Sequence, residues 1–188
     1  LGYLLGSIPS GWLAGRWLKG IDLRELGSGS TGATNVLRQV GKGPALVVFL
    51  IDVGKGAAAV LLARAFGQSD WIQVLAGLTA LAGHIWPVWL KFKGGKAVAT
   101  GFGMFLGLAW PVGLASFGVF LLTLAIFRIV SFSSVLAAVS LPLLMIRFSG
   151  VGSYIVIALV AMGLVLWRHR SNLARILEGS EPKVGEKD

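Results

Sequence analysis

Long apolar runs separated by short basic clusters constrain this chain more than any other feature. Of its 188 residues, 55% are hydrophobic and 13% are charged, and the charges gather between the apolar runs. A spanning helix needs about 20 mostly apolar residues, whereas a soluble domain spreads its charges along the chain to cover its surface. The pattern predicts an all-α integral membrane protein. We expect a single polytopic domain over residues 1–188, with any chemistry in its short loops.

Seven spanning helices are predicted. The chain begins at Leu1 without the basic leading region of a cleavable signal peptide, so we expect a first spanning helix there. The fourth and fifth spans share one apolar run, divided at Trp110-Pro111 because the residue before a proline resists the helical conformation; merging them gives six spans. The predicted spans are residues 1–17, 44–65, 71–90, 97–110, 111–127, 134–146 and 151–167.

The basic residues predict the orientation, because Lys and Arg collect in short cytoplasmic loops. Seven spans with an external N-terminus leave Arg64 and Arg147 outside, whereas six spans put Arg128 and the basic tail on inconsistent sides. We therefore predict an external N-terminus and a cytoplasmic C-terminus. The basic residues then placed inside are Lys19, Arg24, Arg38, Lys42, Lys91, Lys93, Arg128, Arg168, Arg170 and Arg175.

The composition also argues against several classes of protein. No cysteine occurs, which excludes a disulfide framework or a thiol nucleophile. No cluster of histidines and acidic residues has the spacing of metal ligands, so we predict no metal and no other cofactor. The net charge of +9 attracts anionic lipids and anionic substrates. Because the basic residues adjoin the spans rather than form a separate domain, we predict no nucleic-acid partner, and nothing indicates an obligate protein partner.

The segment 27–38 has the composition of a phosphate-binding loop. Glycines let backbone N–H groups turn toward an anion, hydroxyls add donors, and an arginine adds a fixed charge. The segment is not a Walker A loop, because no GxxxxGK[ST] occurs. A flexible linker has a similar composition, but the asparagine and threonine near the arginine favour a site. The candidates are Gly27, Ser28, Gly29, Ser30, Gly32, Thr34, Asn35 and Arg38.

Three lysine and aspartate residues differ in what they predict. Lys96 follows two glycines and opens the fourth predicted span, where helix N–H groups favour an anion; the alternative is a lysine that only marks the inner end of a span. Asp52 and Lys55 lie inside an apolar run, where ionisable groups are costly. Their spacing puts them on one helix face, so we predict a structural ion pair.

The two histidines also differ. His84 precedes a predicted bend at Trp86-Pro87 and is expected to be structural. His169 is the better catalytic candidate, because Asn172 follows it on the same helical face among basic residues. Ser131 and Ser134 add hydroxyls on that side of the membrane.

An ordered set of short motifs runs along nearly the whole chain. The motifs are Ser7-x-Pro9-x-Gly11-xxxx-Arg16, Asp22-x-Arg24-x-x-Gly27-Ser-Gly29, Gly32-Ala-Thr-Asn35, Asp52-x-x-Lys55-Gly56, Gly83-His84-x-x-Pro87, Phe92-x-Gly94-Gly95-Lys96 and Arg168-His169-x-x-Asn172. Taken together, they resemble the PlsY family of bacterial acylphosphate:glycerol-3-phosphate acyltransferases. Ser30-Thr31 stands where many members of that family have Asn-Pro.

The resemblance implies a reaction and a place for it. An acyl group would pass from an acyl phosphate to the 1-hydroxyl of sn-glycerol 3-phosphate, giving lysophosphatidic acid and phosphate on the cytoplasmic side of the bacterial inner membrane. The glycine-rich segment, Arg38, Lys96 and Ser134 would bind phosphate. His169, Asn172 and Asn35 would orient the acceptor hydroxyl, with no covalent enzyme intermediate.

A transporter of a phosphorylated or anionic solute is the main alternative. It would explain glycine-broken helices and the intramembrane Asp52 and Lys55. It would not explain why the other polar residues gather on one face, because a transport path needs them through the midplane and on both sides. A purely structural scaffold leaves the glycine-rich segment without a purpose.

Overall fold

The computed structural model describes residues 1–185, and within this range it contains helices, turns and loops but no β-strand. The chain divides into two compact units, Leu1–Leu108 and a second that begins at Ala109. A 3₁₀ turn covers Val88–Leu90. The α-helices are α1 Gly2–Gly6, α2 Ser10–Lys19, α3 Ala33–Gln39, α4 Lys42–Ala65, α5 Asp70–Ile85, α6 Val98–Phe127, α7 Val130–Phe148, α8 Gly152–Arg168 and α9 Arg170–Leu177.

Several helices are long and apolar enough to cross a membrane. Within the described chain they number four: α4, the segment Asp70–Leu90, α6 and α7. The pair α8 and α9, bent by 59°, makes a fifth if it is counted as one span. Large apolar side chains remain exposed on α4, among them Leu46, Leu50 and Leu61, as a lipid-facing surface requires. These features support an all-helical membrane protein, while seven spans and the orientation of the termini stay predictions.

The first predicted span is broken. Instead of one helix over residues 1–17, α1 ends at Gly6 and α2 begins at Ser10, so the prediction of a continuous first helix is wrong. Pro9 lies directly before α2; it has no N–H to continue a helix, and the residue before it is biased toward extended conformations. The break exposes backbone groups that must find partners within the protein.

The predicted division between the fourth and fifth spans is also visible. Helix α6 runs from Val98 to Phe127, but Ala109 has the non-helical angles φ −150° and ψ 87°. The break precedes Pro111, whose ring and missing N–H disturb the preceding helical turn. The apolar run therefore forms two helices joined next to the predicted Trp110-Pro111 boundary.

In the first unit, α1 packs on α5 at backbone contact. A Cβ atom added at Gly6 would lie 2.0 Å from the carbonyl oxygen of Ala80, and one at Gly83 would lie 2.2 Å from that of Tyr3. Only glycine fits at such a crossing. Because α5 ends at Ile85, close to this contact, the short α1 is held against the end of α5 that leads into segment 86–97, which carries Lys91, Lys93 and Lys96.

In the second unit, α7 packs along α8. Small and branched side chains fill the contact, and Met145 and Ile157 are completely buried. The chain bends after α8, and α9 lies against α7 with Asn172 as its buried residue. The residues after α9 then return to the start of α7, where the Val184 N–H donates to the Arg128 carbonyl at 2.7 Å.

Candidate active site

The glycine-rich segment is an ordered loop built around Asn35. This side chain is 1% exposed. Its Nδ2 donates to the carbonyls of Leu23 and Leu26, both at 3.0 Å, and of Ser30 at 2.9 Å, while Oδ1 accepts from the N–H of Ser28 at 3.3 Å. A single buried amide thus ties both sides of the loop together and shares its two N–H donors among three acceptors. A flexible linker has no such centre, so the linker interpretation does not fit.

Two of the predicted glycines are required by the loop conformation. Gly27 and Gly29 have φ of +55° and +65°, in the left-handed region that disfavours side chains. A Cβ at Gly27 would also lie 2.5 Å from Oδ1 of Asn35. Gly32 differs, because it has the extended φ of −79° that any residue can adopt. Its place in the predicted set therefore has no support from its backbone conformation.

The predicted polar side chains of this loop divide into accessible and internal groups. Ser28 is exposed, and Thr34 and Arg38 are half-buried on α3. Ser30 is buried, and its Oγ accepts from the N–H of Gly32 at 3.3 Å. Ser28, Thr34 and Arg38 are thus open to a ligand, whereas Ser30 and Asn35 serve the loop itself.

An ion pair between Asp22 and Arg24 joins this loop to the rest of the unit. Arg24 donates to the Asp22 carboxylate from Nε at 2.9 Å and from Nη2 at 2.5 Å, and its Nη1 donates to the carbonyl of Leu90 at 3.1 Å. These hydrogen bonds from Arg24 outweigh the effect of burial and hold the pKa of Asp22 well below its usual range. The Arg24 guanidinium thus connects the loop to the 3₁₀ turn Val88–Leu90, which precedes Lys91, Lys93 and Lys96.

The segment 91–97 has an unusual backbone. Lys91, Phe92 and Ala97 have φ of +52°, +61° and +59°, which is uncommon for residues with side chains. Such conformations cost about 1–3 kcal/mol each and cluster at functional sites. Lys96 is half-buried within this segment and lies just before α6, which begins at Val98. The predicted place of Lys96 at the opening of a helix therefore matches the structure.

His84 packs against the segment 91–97. The N–H of Gly95 donates to the His84 carbonyl at 3.1 Å, and that of Gly94 donates to the Ile85 carbonyl at 3.1 Å. A Cβ at Gly95 would lie 2.2 Å from Nε2 of the histidine ring. The buried ring thus packs directly against Gly95, next to Lys96, and its structural role stays a prediction.

Asp52 and Lys55 form a buried cluster with the broken first span. Lys55 Nζ lies 2.8 Å from Asp52 Oδ1 and donates to the carbonyl of Ile8 at 3.1 Å. Ser10 Oγ donates to the same carboxylate at 2.6 Å, and His84 Nδ1 lies 3.7 Å from it. The charges neutralise each other and satisfy backbone exposed by the break. The intramembrane charges that suggested a transporter therefore have a structural explanation.

In the second unit, His169 is 3% exposed and lies between α8 and α9. Its Nδ1 is 2.9 Å from the carbonyl oxygen of Val165, which can only accept a hydrogen bond. Nδ1 therefore carries the proton in the neutral ring, and Nε2 is the acceptor nitrogen. This tautomer suits a histidine that receives a hydrogen bond from a hydroxyl.

Asn172 belongs to a cluster centred on Glu181, a residue that the sequence analysis missed. Glu181 Oε1 accepts from Asn172 Nδ2 at 2.5 Å and from Ser131 Oγ at 2.6 Å, and Oε2 accepts from Arg175 Nε at 2.7 Å. Burial alone would raise the pKa of Glu181, but the hydrogen bonds from Ser131, Asn172 and Arg175 bring it below its usual value. In the sequence, Glu181 is one of several acidic residues near the C-terminus, and nothing local distinguishes it from Glu178.

Ser134 has a different environment from Ser131. It is 4% exposed, and its hydroxyl donates to the carbonyl of Val130 at 2.8 Å, one turn earlier in α7. Such bonds satisfy a hydroxyl within its own helix. The structure gives no direct support to the predicted binding role of Ser134. Among the described residues, no group of three or more histidine, aspartate and glutamate side chains could hold a metal ion.

Apolar helices of spanning length that carry ordered polar loops define an integral membrane protein with a candidate anion-binding site. A sequence profile described as glycerol-3-phosphate acyltransferase matches residues 1–179. A curated glycerol-3-phosphate acyltransferase of Parasynechococcus marenigrum (strain WH8102) is 75% identical over 187 residues, covering 100% of this chain and 88% of the relative. One of Prochlorococcus marinus (strain MIT 9313) is 69% identical over 189 residues, covering 99% and 93%.

A solved structure gives the same result. The chain is similar to PlsY, described as an integral membrane glycerol 3-phosphate acyltransferase, in its glycerol 3-phosphate form. The TM-score is 0.91 at 39% identity, covering 98% of this chain and 92% of PlsY. The chain therefore belongs to the PlsY family of glycerol-3-phosphate acyltransferases, which confirms the family predicted from its motifs.

Proposed function

We propose that this membrane enzyme transfers a fatty acyl group from an acyl phosphate to the 1-hydroxyl of sn-glycerol 3-phosphate. The products are lysophosphatidic acid and inorganic phosphate, in the first acylation of bacterial phospholipid synthesis. The observation that carries the proposal is the likeness to PlsY over 98% of the chain, in a crystal form named for glycerol 3-phosphate. A second PlsY structure, named for lysophosphatidic acid, has a TM-score of 0.89.

The residue types present favour an acyl phosphate over a thioester donor. The chain has no cysteine, no GxSxG elbow and no HxxxxD acyltransferase motif. An acyl phosphate is already activated and brings phosphate as its leaving group. Catalysis then needs the two substrates to be positioned and their charge to be stabilised, which basic residues and ordered backbone N–H groups supply.

The reaction balances without a covalent enzyme intermediate. The 1-hydroxyl oxygen of glycerol 3-phosphate attacks the acyl carbonyl carbon and forms the new ester bond. The bond between that carbon and the phosphate oxygen breaks, and its electron pair leaves with phosphate. The hydroxyl proton passes to a phosphate oxygen of the acyl phosphate, so the leaving group also serves as the base.

In the first unit, Ser28, Thr34, Arg38 and Lys96 are proposed to bind phosphate groups. Each is exposed or half-buried, and so is accessible to a ligand from the surface. The buried Asn35 is assigned a different role from the one predicted, because its amide is engaged by the loop backbone. It acts by holding the loop in its binding conformation.

In the second unit, His169 and Asn172 are proposed to orient the acceptor hydroxyl. The His169 tautomer set by Val165 offers Nε2 as an acceptor. Asn172 presents its Nδ2 to Glu181, so its Oδ1 is the atom suited to accept from a hydroxyl. Both groups would then guide the hydroxyl lone pair toward the acyl carbon.

The proposed location is the bacterial plasma membrane, with the active site facing the cytoplasm. The support is the distribution of Lys and Arg in the sequence, together with helices long and apolar enough to span. Glycerol 3-phosphate is charged and would then reach the enzyme from the aqueous cytoplasm, while the acyl chain enters from the lipid.

The test is an assay of the purified protein in detergent with a saturated acyl phosphate. We expect phosphate release that depends on glycerol 3-phosphate and is equimolar with lysophosphatidic acid. A reaction without protein corrects for spontaneous hydrolysis, and the matching acyl-CoA is the competing donor. Faster transfer from acyl-CoA, or phosphate release without added glycerol 3-phosphate, would contradict the proposed reaction.

A further inference from the structure

We infer that Glu181 is a positioning residue for acyl transfer, which fixes the orientation of the Asn172 amide. This inference rests on the proposed function, because it gives a task to Asn172 in the same reaction. Glu181 lies in the segment after α9, and its side chain is only 4% exposed. Asn172 and Ser131 are 4% and 6% exposed.

The segment that carries Glu181 is held at a second point. The N–H of Val184 donates to the carbonyl of Arg128 at 2.7 Å, and Nη2 of Arg128 donates back to the carbonyl of Val184 at 2.7 Å. Arg128 itself has φ of +59°, so the chain turns sharply just before α7. These contacts hold the segment after α9 against the start of α7, and they fix the position of the Glu181 carboxylate.

The chemistry of a carboxylate gives this contact its direction. An ionised carboxylate only accepts hydrogen bonds, so the atom of Asn172 that faces it must be the amide nitrogen. The amide oxygen then points the other way, as an acceptor. A glutamine at position 181 could present either an oxygen or an amide nitrogen, and both orientations of Asn172 would become possible. The charge of Glu181 therefore selects one orientation.

Arg175 and Ser131 keep the carboxylate in the form that this task needs. Arg175 donates to Oε2 at 2.7 Å, which leaves Oε1 for Asn172 and Ser131. Charge-assisted hydrogen bonds of this kind are short and stronger than neutral ones. The arrangement ties α7, α9 and the tail together at the residue proposed to meet the acceptor hydroxyl.

The experiment compares Glu181→Gln with Glu178→Gln in the purified enzyme. Glu178 lies at the end of α9 and is exposed, and Glu178→Gln removes the same charge from the same region of the chain. For Glu181→Gln we expect kcat to fall about 10-fold or more, with KM for glycerol 3-phosphate within about twofold of wild type, because geometry is lost rather than binding. Glu178→Gln should keep wild-type kcat.

A double variant separates positioning from general stabilisation. If Glu181 acts through Asn172, adding Glu181→Gln to Asn172→Ala should lower kcat no further, since neighbours in one network are not additive. Additive losses, or wild-type kcat in Glu181→Gln, would overturn the inference. If Glu181→Gln cannot be purified, Glu181→Asp takes its place in the experiment. It keeps the charge but has a shorter side chain, which moves the carboxylate away from Asn172. It should also lower kcat, and wild-type kcat in this variant would overturn the inference.

The wild-type assay keeps this inference distinct from the proposed function. Wild-type transfer from acyl phosphate together with unchanged kinetics in Glu181→Gln would refute the role of Glu181 alone. No transfer by a folded wild-type protein would refute the proposed function and, with it, this role.

Discussion

Lys55 Nζ lies 2.8 Å from Asp52 Oδ1 inside α4, and the two side chains are 3% and 1% exposed. The lysine also donates to the Ile8 carbonyl in the break between α1 and α2, and Ser10 donates to the aspartate. The pair thus belongs to the helix break as much as to α4. The Ile8 carbonyl at the break thus accepts from the Lys55 ammonium as well as from the N–H of Ser10, so its partners lie within the protein.

Removing one member of this pair should destabilise the protein. Lys55→Met leaves the buried Asp52 charge without its cation, and such truncations cost about 3–5 kcal/mol. We expect a clear drop in melting temperature and yield in detergent. The double variant Asp52→Asn/Lys55→Met should recover part of the loss, because it removes both charges. The measurement is thermal unfolding of the purified proteins in one detergent.

Lys42→Met is the matched control, since Lys42 begins the same helix but is exposed. It should melt like wild type. A Lys55→Met protein that melts like wild type yet has lost catalytic turnover would argue instead for a direct part in the chemistry.

Asn35→Ala should release the glycine-rich loop. The substitution removes the donors of three loop carbonyls and the acceptor of the Ser28 N–H at once. We expect faster amide hydrogen exchange over residues 23–31 and a KM for glycerol 3-phosphate raised about 10-fold or more, because the binding conformation is no longer held. Ser30→Ala, which loses one hydrogen bond to Gly32, should stay within about threefold of wild type.

Unchanged exchange in Asn35→Ala together with a loss of kcat alone would point the other way. It would return Asn35 to the role predicted from the sequence, in which it acts on the acceptor hydroxyl.

The fold class was predictable because it depends on runs of about 20 apolar residues, which the sequence displays directly. The break before Ser10 was not predicted, since Pro9 lies within an apolar run and the Lys55 side chain that bonds the Ile8 carbonyl at the break comes from the distant α4. The role of Asn35 was missed for a similar reason. An asparagine among glycines and hydroxyls suggests ligand binding, and only the folded loop shows which carbonyls its amide reaches.

Glu181 shows the limit of motif-based reasoning in the second unit. Its hydroxyl partner, Ser131, lies 50 positions away in the sequence, and nothing local predicts the contact. The pairing of Asp52 with Lys55 could be predicted because both residues lie on one helix, where spacing fixes which faces meet.

The orientation of the protein is open to a labelling test. Cysteines introduced singly at Ser69, just before α5, and at Ser180, after α9, have no competing thiol because the chain has no cysteine. With seven spans and an external N-terminus, a membrane-impermeant maleimide should label Ser69→Cys in intact cells and Ser180→Cys only after lysis. Labelling of both from the same side would exclude the seven-span arrangement.

The decisive prediction for the proposed site concerns Arg38 and Lys96. Arg38 is half-buried in the last turn of α3, and Lys96 is half-buried just before α6, so both combine access to a ligand with partial removal from water. Removing the partner of a bound ion costs about 2–5 kcal/mol, and partial exposure favours the lower end. We therefore expect Arg38→Ala and Lys96→Ala each to lower kcat/KM for glycerol 3-phosphate roughly 30-fold, mainly through KM. His169→Ala should instead lose kcat more than affinity. Lys42→Ala and Lys93→Ala, which remove exposed charges from the same two regions, should stay near wild type. If Arg38→Ala and Lys96→Ala fold normally and keep wild-type kinetics, these cations do not bind the substrate phosphates, and the ordered loop serves the fold alone.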